Sequence, residues 1–451
     1  MTERMKAVAA AGAVAAFWLA VWVFAAALVA QPLILPGPGT VAVALLRLVC
    51  DAGTWAILVG SGARILGGLA LAAVCGGLLA GISSRSQAFA RLVAPALSFV
   101  KATPVACVVV LLLIWLGSAR VSIAAVFLMA LPGVYFSLVE GLTQADKPLE
   151  QMFRLHGVRG WRLFCAHTWR EVLPFVLSCA RAVIGMSWKA GVAAELIGMA
   201  TDTVGERIYQ AKLLIETADL LAWTVLVVAA SWACERVLVW LLRVSGPVAW
   251  RAAVRAHGHG LRGRTGAASD GAAAELALAV GDRAPWSPAL DGLVLHVPAG
   301  GRTCVMGASG VGKSTLLALV AGECAPCSMV FQDVRLVEDA SALDNVLVCA
   351  DARVNASSAA ALLRLLVPGI DVHARVAELS GGQRRRVEIA RALLCPGGAV
   401  ILDEPFTGLD IAARDACTEV VLDLLDGRML LLATHDSADA RALNISDIIT
   451  L

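Results

Sequence analysis

Long runs of apolar residues occupy the first half of the chain, and shorter apolar runs separated by glycine and charge occupy the second. The change falls near residue 245. A run of about 20 apolar residues is long enough to cross a bilayer as one helix. The first half therefore predicts six membrane-spanning helices, at about residues 7–30, 55–82, 92–116, 121–142, 172–200 and 220–243.

The composition supports a membrane protein. Hydrophobic residues make up 59% of the chain and charged residues 16%, and the mean hydropathy is +0.77. An ordinary soluble domain is less apolar and more charged than this. The first run ends at residues 28–30, which resemble a signal-peptide cleavage site, but it is longer than the apolar part of a typical signal peptide. We expect an uncleaved membrane anchor.

The distribution of Lys and Arg predicts the orientation. Basic residues are concentrated before the first run, between the second and third, between the fourth and fifth, and after the sixth. Because basic loops are retained on the cytoplasmic side, both termini are predicted to be cytoplasmic. The expected location is the inner membrane of a bacterial cell, which the chain crosses several times.

Four ionisable residues lie within or beside the predicted spans. Lys189 and Glu195 are six positions apart, too far to pair on one face of a helix. Lys189 has two open interpretations: it faces a transport path and attracts an anion, or it pairs with a neighbouring span. Arg64 and Lys101 are predicted near span ends, where long side chains reach the membrane surface.

A glycine-rich segment in the second half fits a phosphate-binding loop. Residues 307–315 are Gly-Ala-Ser-Gly-Val-Gly-Lys-Ser-Thr, which match the pattern G-x-x-x-x-G-K-[ST]. Backbone N–H groups in such a loop, and the helix that starts there, attract phosphate. Lys313 is expected to reach the outer phosphates and Ser314 the Mg²⁺. The candidate nucleotide-binding residues are Gly307, Ser309, Gly310, Gly312, Lys313, Ser314 and Thr315.

A second motif narrows the prediction from any nucleotide to one family. The segment Leu379-Ser380-Gly381-Gly382-Gln383 resembles the signature of ATP-binding-cassette (ABC) ATPases. The apolar segment 400–405 ends in two carboxylates and is typical of a buried parallel strand. The resemblance implies an α/β P-loop NTPase domain that uses ATP and Mg²⁺.

The resemblance also implies roles for single residues. Asp403 would hold Mg²⁺ through water, together with Ser314 and Gln332. Glu404 would polarise the attacking water, and His435 would contact the γ-phosphate. Gln332 would also couple the nucleotide to the membrane domain. Positioned charge, a metal and an oriented nucleophile are what phosphoryl transfer needs.

The same family places the signature of one cassette against the phosphate loop of another. One copy of each motif per chain therefore implies a dimer of identical chains. The residues expected to contact nucleotide across that dimer are Ser380, Gly381, Gly382, Gln383 and Asp410.

The cassette departs from the family in the segment between Lys313 and Gln332, which spans only 19 positions. Family members carry a longer insert there, so we expect a shortened antiparallel subdomain. Trp286 is the aromatic residue near the expected adenine site. It either stacks on adenine or packs on the sheet as a loop residue. Bulky Trp161 and Trp169 are predicted to fill the space that the missing strands leave.

The segment from Glu150 to Pro174 is predicted to form two short helices broken near Gly157. It resembles the cytoplasmic coupling loop of binding-protein-dependent importers. Segments 35–40, 185–195 and 222–224 resemble nitrate/sulfonate/taurine-type permeases. This resemblance implies import of a small solute, anionic or containing nitrogen or sulfur, which an extracytoplasmic solute-binding protein delivers.

Three segments follow from these patterns. An all-α membrane domain covers 1–244, a flexible basic linker 245–273, and the ATPase domain 274–451. The basic linker suits anionic lipid headgroups, and we expect no nucleic-acid partner. His257 and His259 are too few ligands for a convincing metal site. The 12 scattered cysteines suit buried positions in a reducing compartment, and Cys324 and Cys327 have redox spacing without a redox context.

Two other functions remain open. The order of membrane domain and then cassette is usual for ABC exporters, although their membrane domains are longer. The altered coupling loop and shortened arm are also compatible with a coupling-defective, regulatory membrane ATPase. Intact Lys313, Asp403, Glu404 and His435 argue against the second alternative.

Overall fold

The computed structural model describes residues 2–256, 276–280, 290–291, 293–308 and 310–451. Trp286, Ser309, His257 and His259 lie outside the described residues. The chain divides into two compact units. The membrane unit holds Met1–Ala145 and Glu171–Ser245, and the cassette unit holds Asp146–Arg170 and Gly246–Leu451. The predicted boundaries at 244 and 273 remain predictions.

Helices make up the chain as far as residue 255. In chain order they are α1 (Thr2–Val29), α2 (Pro38–Cys50), α3 (Ala52–Ser83), α4 (Gln87–Ala102), α5 (Val105–Leu116), α6 (Ser118–Gln144), α7 (Lys147–Leu155), α8 (Gly160–Leu163), α9 (Trp169–Gly198), α10 (Val204–Leu213) and α11 (Thr217–Arg255). One turn of π-helix, Phe164–Thr168, joins α8 to α9.

Five of the described helical segments are long and apolar enough to cross a membrane, or six if the bent pair α4 and α5 is one span. The six predicted runs correspond to these segments. The third predicted run, 92–116, is bent within its length, because α4 and α5 meet at 103°. Thr103 has an extended conformation, with ψ of 128°, before Pro104. Proline disfavours the helical conformation in the residue before it, so the helix breaks here.

Small residues let the helices of the membrane unit approach closely. A Cβ atom on Gly68 of α3 would lie 2.5 Å from the carbonyl oxygen of Ile123 in α6. One on Gly191 of α9 would lie 2.5 Å from Cγ1 of Ile65. Glycine is therefore required at both contacts, as is common where apolar helices pack without a hydrophobic driving force from water.

Arg64 is not at a span end that reaches the membrane surface, contrary to expectation. Its Nε donates to Oε1 of Glu195 at 3.2 Å. Glu195 is fully buried and also accepts from Oγ of Ser61 at 2.8 Å and from the backbone N–H of Gly205 at 3.4 Å. A buried carboxylate needs such partners. The network links α3, α9 and the start of α10.

Parallel strands form the centre of the cassette unit. The seven strands that the structure describes are β1 (Leu276–Ala279), β2 (Val294–Val297), β3 (Arg302–Met306), β4 (Ser328–Val330), β5 (Ala399–Asp403), β6 (Met429–Thr434) and β7 (Asp447–Thr450). Five of them form a parallel sheet in the order β4-β5-β6-β3-β7. Strands β5 and β6 are buried along their whole length, as strands covered on both faces are.

The antiparallel part is small in the described residues. Strands β1 and β2 pair antiparallel with Leu276 opposite Val297. This agrees with the expected short subdomain. The helices of the cassette unit that follow β3 are α12 (Lys313–Glu323), α13 (Ala342–Leu347), α14 (Ala356–Leu366), α15 (Gly381–Leu394), α16 (Ile411–Leu424) and α17 (Ser437–Ala442). Helices α12, α15 and α17 contact the parallel sheet, and α13, α14 and α16 pack around α15.

Candidate nucleotide site and coupling loop

The predicted phosphate loop connects β3 to α12. Gly310 and Gly312 have φ of +83° and +114°, a region that glycine adopts without strain. Lys313 begins α12 and is only 6% exposed. Its Nζ donates to the carbonyl oxygens of Gly307 at 2.7 Å and Ala308 at 3.0 Å. The loop thus places an ammonium group beside the N-terminus of a helix, where both attract phosphate.

Ser314 and Asp403 lie together beside this loop. Oγ of Ser314 donates to Oδ2 of Asp403 at 2.8 Å. Burial raises the pKa of Asp403, against the lowering effect of the Ser314 hydrogen bond. A hydroxyl and a carboxylate in contact fit Mg²⁺, which prefers oxygen ligands and takes few from the protein when phosphate is bound. The described residues contain no group of three or more His, Cys, Asp or Glu side chains that would complete a metal site without such outside ligands.

Glu404 follows Asp403 in a strained conformation. Its φ is +45°, which is unusual for a residue with a side chain. Its N–H donates to the carbonyl oxygen of Ala433 at 2.9 Å, and its Oε1 lies 3.3 Å from Nδ1 of His435. Strain of this kind costs about 1–3 kcal/mol and persists where the surroundings fix it. The end of β5 therefore presents a carboxylate that a histidine contacts.

Two cavities meet at these residues. The first has a volume of about 310 Å³ and is lined by Gly310, Gly312, Lys313, Ser314, Thr315, Gln332 and Glu404. The second has a volume of about 440 Å³ and is lined by Gln151, Arg154, Leu155, Ser314, Ala318, Met329, Phe331, Gln332, Asp333, Arg335 and Asp403. Ser314 and Gln332 line both. The second cavity therefore joins the candidate Mg²⁺ residues to side chains of α7.

The signature segment begins helix α15 and lies outside the walls of the two cavities. Ser380 and Gln383 form a reciprocal cap at the start of α15, with the N–H of Ser380 donating to Oε1 of Gln383 at 2.9 Å. Asp410 caps α16 by accepting from the N–H of Ala413 at 2.8 Å. Within the described residues, Ser380–Gln383 and Asp410 do not line the two cavities. One chain therefore does not bring its own signature to its own phosphate loop.

Helix α15 carries a buried network of charged residues that was not predicted from the sequence. Arg385, Glu388 and Arg391 are each 3% exposed or less. Arg385 contacts Glu388 at 2.9 Å, and Arg391 contacts Glu388 at 3.3 Å. The available signal was a glutamate three positions from an arginine on each side, because residues three apart on a helix are neighbours.

This network holds the carboxylate end of β5. Arg385 donates to the carbonyl oxygens of Asp403 at 2.9 Å, Glu404 at 2.6 Å and Pro405 at 3.0 Å. It also donates to the carbonyl oxygen of Phe331, the residue before Gln332. A single guanidinium therefore fixes the backbone of both segments that carry candidate catalytic residues.

The same network reaches the coupling loop, defined here as residues 146–170. The N–H of Arg335 donates to Oε1 of Glu388 at 3.2 Å. The Arg335 guanidinium lies 3.8 Å from the Phe331 ring centroid, and its Nη1 donates to the carbonyl oxygen of Pro148 at 3.2 Å. A chain of contacts thus runs from β5 to α7.

The coupling loop forms two short helices with a break at Gly157, as predicted. Gly157 has φ of +79°, and a Cβ atom there would lie 3.3 Å from Cβ of Pro326. The N–H of Cys327 donates to the carbonyl oxygen of Leu155 at 3.0 Å, and Nη2 of Arg162 donates to the carbonyl oxygen of Val348 at 2.9 Å. Backbone groups of the cassette therefore hold the loop on both sides of its break.

His156 is the buried centre of this contact, and sequence analysis did not identify it. It is 1% exposed. The N–H of Met329 donates to its Nε2 at 3.3 Å, and its Nδ1 lies 2.8 Å from the carbonyl oxygen of Met152. Since Nε2 accepts, the neutral ring carries its proton on Nδ1. Burial, and then the charge of Arg391, lowers the pKa of His156 to about 3.

The predicted filling of the shortened arm by Trp161 is wrong. Trp161 is 73% exposed and stacks on Phe164, with ring centroids 5.0 Å apart. The Trp169 ring lies 6.0 Å from that of Phe164. Met152 and Phe153, which are fully buried, pack in the core of the cassette unit instead. Aromatic size alone did not show which face of the loop meets the cassette.

The two cysteines of the shortened arm, Cys324 and Cys327, both have raised thiol pKa values. Burial raises the pKa of Cys327 to about 12 and also raises that of Cys324. A thiol reacts as the thiolate, so a raised pKa makes each of them less reactive at neutral pH than a free cysteine. The 12 cysteines are all free.

Comparison with known proteins identifies both halves. Residues 73–248 match the family model of the binding-protein-dependent transport system inner membrane component. Residues 290–407 match the ABC transporter family model. Among solved structures, the chain is similar to the dimeric ATP-binding cassette MJ0796 bound to ADP and Pi, with 25% identity, a TM-score of 0.33, and coverage of 36% of this chain and 86% of that one.

Curated relatives include ATP-binding proteins of sulfonate importers. The aliphatic sulfonates import ATP-binding protein SsuB 1 of Rhizobium johnstonii is 37% identical over 175 residues, which cover 34% of this chain and 64% of the relative. SsuB of Escherichia coli K12 is 36% identical over 176 residues, which cover 34% of this chain and 68% of the relative. The chain thus spans about two thirds of the length of these relatives. It belongs to the ABC transporter family, as a binding-protein-dependent permease domain followed by an ABC ATPase domain.

Proposed function

We propose that the chain is one half of a homodimeric importer that uses ATP to move a small anionic solute of the aliphatic sulfonate class into a bacterial cell. The observation that carries this proposal is the docking of the coupling loop on the cassette through Pro148, Leu155 and His156. A loop that lies between two membrane helices and is hydrogen-bonded to an ATPase domain can transmit that domain's movement. The sulfonate class follows from the relatives' names.

Different residues of the cassette have different roles in ATP hydrolysis. Lys313 supplies positive charge at the phosphate loop, and Ser314 with Asp403 would hold Mg²⁺, which neutralises phosphate charge when bound. Glu404 orients the attacking water. His435, whose Nδ1 lies 3.3 Å from Oε1 of Glu404, contacts the γ-phosphate. Electrostatic positioning of this kind supplies most of the catalysis in phosphoryl transfer.

Gln332 lines both cavities and would connect ATP hydrolysis to solute transport. It would contribute to the Mg²⁺ environment on one side, and on the other it lines the cavity that reaches α7. Arg385 fixes the carbonyl oxygen of the neighbouring Phe331. Movement of Gln332 with nucleotide state is therefore passed to the coupling loop.

A second copy of the chain completes each ATP site, with Ser380–Gln383 and Asp410 of one copy opposite the phosphate loop of the other. An extracytoplasmic solute-binding protein delivers the solute, and the protein lies in the cytoplasmic membrane with both termini and the cassette inside. The basic linker contacts anionic lipid.

The test is sulfur-dependent growth. A bacterial host without its own sulfonate uptake is given this chain and candidate solute-binding proteins, with an alkanesulfonate as sole sulfur source. We expect growth and uptake of ³⁵S-labelled ethanesulfonate with the native chain. The Glu404→Gln chain should give neither, because the cycle stops before hydrolysis.

Two results would contradict the proposal. Uptake that persists with Glu404→Gln would show that this ATPase does not drive it. ATP-dependent loss of ethanesulfonate from preloaded cells would identify an exporter, which the order of domains also allows.

A further inference from the structure

Helix α9 of the membrane unit has one buried face and one open face. Ala182, Met186 and Lys189 are exposed at spacings of four and three, which places them on one side of the helix. Gly185 lies beside them, and a Cβ atom there would meet nothing within 4 Å. The opposite side is buried by the unit's own helices, with Ser187, Trp188 and Ala194 among its residues.

Lys189 lies deep in this open face. Helix α9 runs from Trp169 to Gly198, so the helical rise places Lys189 about 13 Å from its end and about 30 Å from its start. The hydrocarbon core of a membrane is about 30 Å thick, so this position is far from both surfaces. Among the described residues Lys189 has no ion pair, whereas Glu195, on the same helix, is held by Arg64.

Lipid cannot cover this ammonium group at low cost. A lysine in the middle of a span costs several kcal/mol in hydrocarbon unless it reaches water or an anion. Side chains in a helix point toward its N-terminus. Lys189 therefore points away from the nearer end of α9, which makes reaching the membrane surface through its own length unfavourable.

We propose that the open face of α9 lines a water-filled path between two copies of the chain, and that Lys189 with the partner copy's Lys189 forms the binding site for the anionic head of the transported solute. This inference rests on the proposed function and adds the site and the charge of the substrate. The open positions at Ala182 and Gly185 leave room for a solute beside the two ammonium groups. Two cations at one level select a sulfonate over a neutral molecule of the same shape.

Thiol chemistry tests the path without requiring transport. The full chain carries Met186→Cys, with the exposed Cys50 and Cys107 replaced by serine, in liposomes. The probes are methanethiosulfonate ethylsulfonate, an anion, and methanethiosulfonate ethyltrimethylammonium, a cation. Val228→Cys on α11, where the native residue is 63% exposed, is the matched control for a lipid-covered position.

We expect Met186→Cys to react with both probes, and its ratio of anion to cation reaction rates to exceed that of a free thiol by roughly 10-fold, as nearby positive charge dictates. Adding Lys189→Gln should remove this preference and leave the position reactive. A bifunctional maleimide should join two Met186→Cys chains, and Val228→Cys should not react. The proposal is overturned if Met186→Cys is unreactive, or if the preference for the anion survives Lys189→Gln.

A second measurement separates this inference from the proposed function. Lys189→Met should raise the KM for ethanesulfonate uptake by about 10-fold or more, since a hydrogen bond to a charged group is lost. Lys189→Arg should restore uptake, since it keeps the charge. Normal uptake by Lys189→Met overturns the site, whereas absence of ATP-driven uptake by the native chain overturns the proposed function and leaves the thiol result standing.

Discussion

At the scale of single residues, the catalytic role proposed for Glu404 depends on how this residue is held. Its backbone is strained at φ of +45° and fixed by Ala433 and Arg385, while its side chain contacts His435. Glutamine at this position would keep the shape and lose the charge. Glu404→Gln should lower kcat for ATP hydrolysis by about 100-fold or more, the loss typical of a residue that stabilises developing charge. Steady-state phosphate release measures this.

The control for this prediction is an exposed glutamate on α16. Glu419→Gln removes the same charge from the surface and should leave kcat unchanged. Binding of a fluorescent ATP analogue should be retained in Glu404→Gln, because Lys313 and Ser314 are untouched. Hydrolysis at the native rate would show that another group orients the water.

The docking of the coupling loop on the cassette should depend on pH through His156. Its pKa in the folded cassette unit is about 3, whereas a free histidine has about 6.5. The unfolded or undocked ring therefore takes up a proton first, so stability is complete above about pH 6.5 and is lost as the pH falls toward 3. At pH 5 the loss is about 2 kcal/mol. Hydrogen exchange of the full chain, followed at residues 147–163 between pH 7.5 and 5, should show increasing exposure of α7 after correction for intrinsic rates.

Glutamine is the matched variant for this test. Its amide can donate to Met152 and accept from the N–H of Met329 without titrating. His156→Gln should therefore remain docked at pH 5, whereas His156→Leu should be undocked even at pH 7.5 because it leaves the Met329 N–H unpaired, at a cost of about 1–3 kcal/mol. Equal pH dependence in the native chain and His156→Gln would rule out His156 as the titrating group.

At the scale of helices and strands, buried charged residues of α15 hold the end of β5, where Asp403 and Glu404 lie. Glu388 is fully buried between Arg385 and Arg391. Burial raises its pKa, and the two arginines oppose this effect. Removing one partner from a buried ion network costs roughly 3–5 kcal/mol. Glu388→Gln should therefore lower the unfolding temperature of the cassette by several degrees, which intrinsic fluorescence of the full chain can follow.

Glu378→Gln, an exposed change near the start of the same helix, is the control and should leave the unfolding temperature unaltered. A shift of less than one degree in Glu388→Gln would mean that the two arginines are satisfied by their carbonyl partners alone. Since Arg335 also bonds to Glu388, the variant should in addition lower the uptake obtained per ATP hydrolysed.

Sequence patterns predicted those features whose cause is local. The glycine and lysine pattern of residues 307–315 predicted the phosphate loop, and Gly157 predicted the break in the coupling loop. The bend at Pro104 was missed, because the apolar run of the third span continues across it. Features that need a distant partner were not predictable. Arg64 pairs with a residue 131 positions away, and His156 with one 173 away. Nothing in the neighbouring sequence of either residue indicates its partner.

At the scale of the whole molecule, the proposed ATP site needs a second copy of the chain. The cavity at the phosphate loop is lined by Lys313, Ser314 and Glu404, and the described signature residues 380–383 are not among its walls. If two copies complete each other, a defect in one motif can be compensated by a partner with a defect in the other. Lys313→Ala disables the phosphate loop, and Ser380→Arg disables the signature by placing a large cation at its cap.

Mixing the two variants therefore distinguishes a dimer from independent chains. Each variant alone has no intact site. A mixed pair has one site with both defects and one with neither, because the phosphate loop of Ser380→Arg then meets the signature of Lys313→Ala. Random pairing of equal amounts should restore about a quarter of native ATP hydrolysis if the sites act independently, and none if both sites are needed. Co-expression with two different affinity tags isolates the mixed pair, in which a site that works independently gives half-native activity. A native chain that hydrolyses ATP at full rate as a monomer in detergent, with no rescue on mixing, would show that each chain builds its site alone.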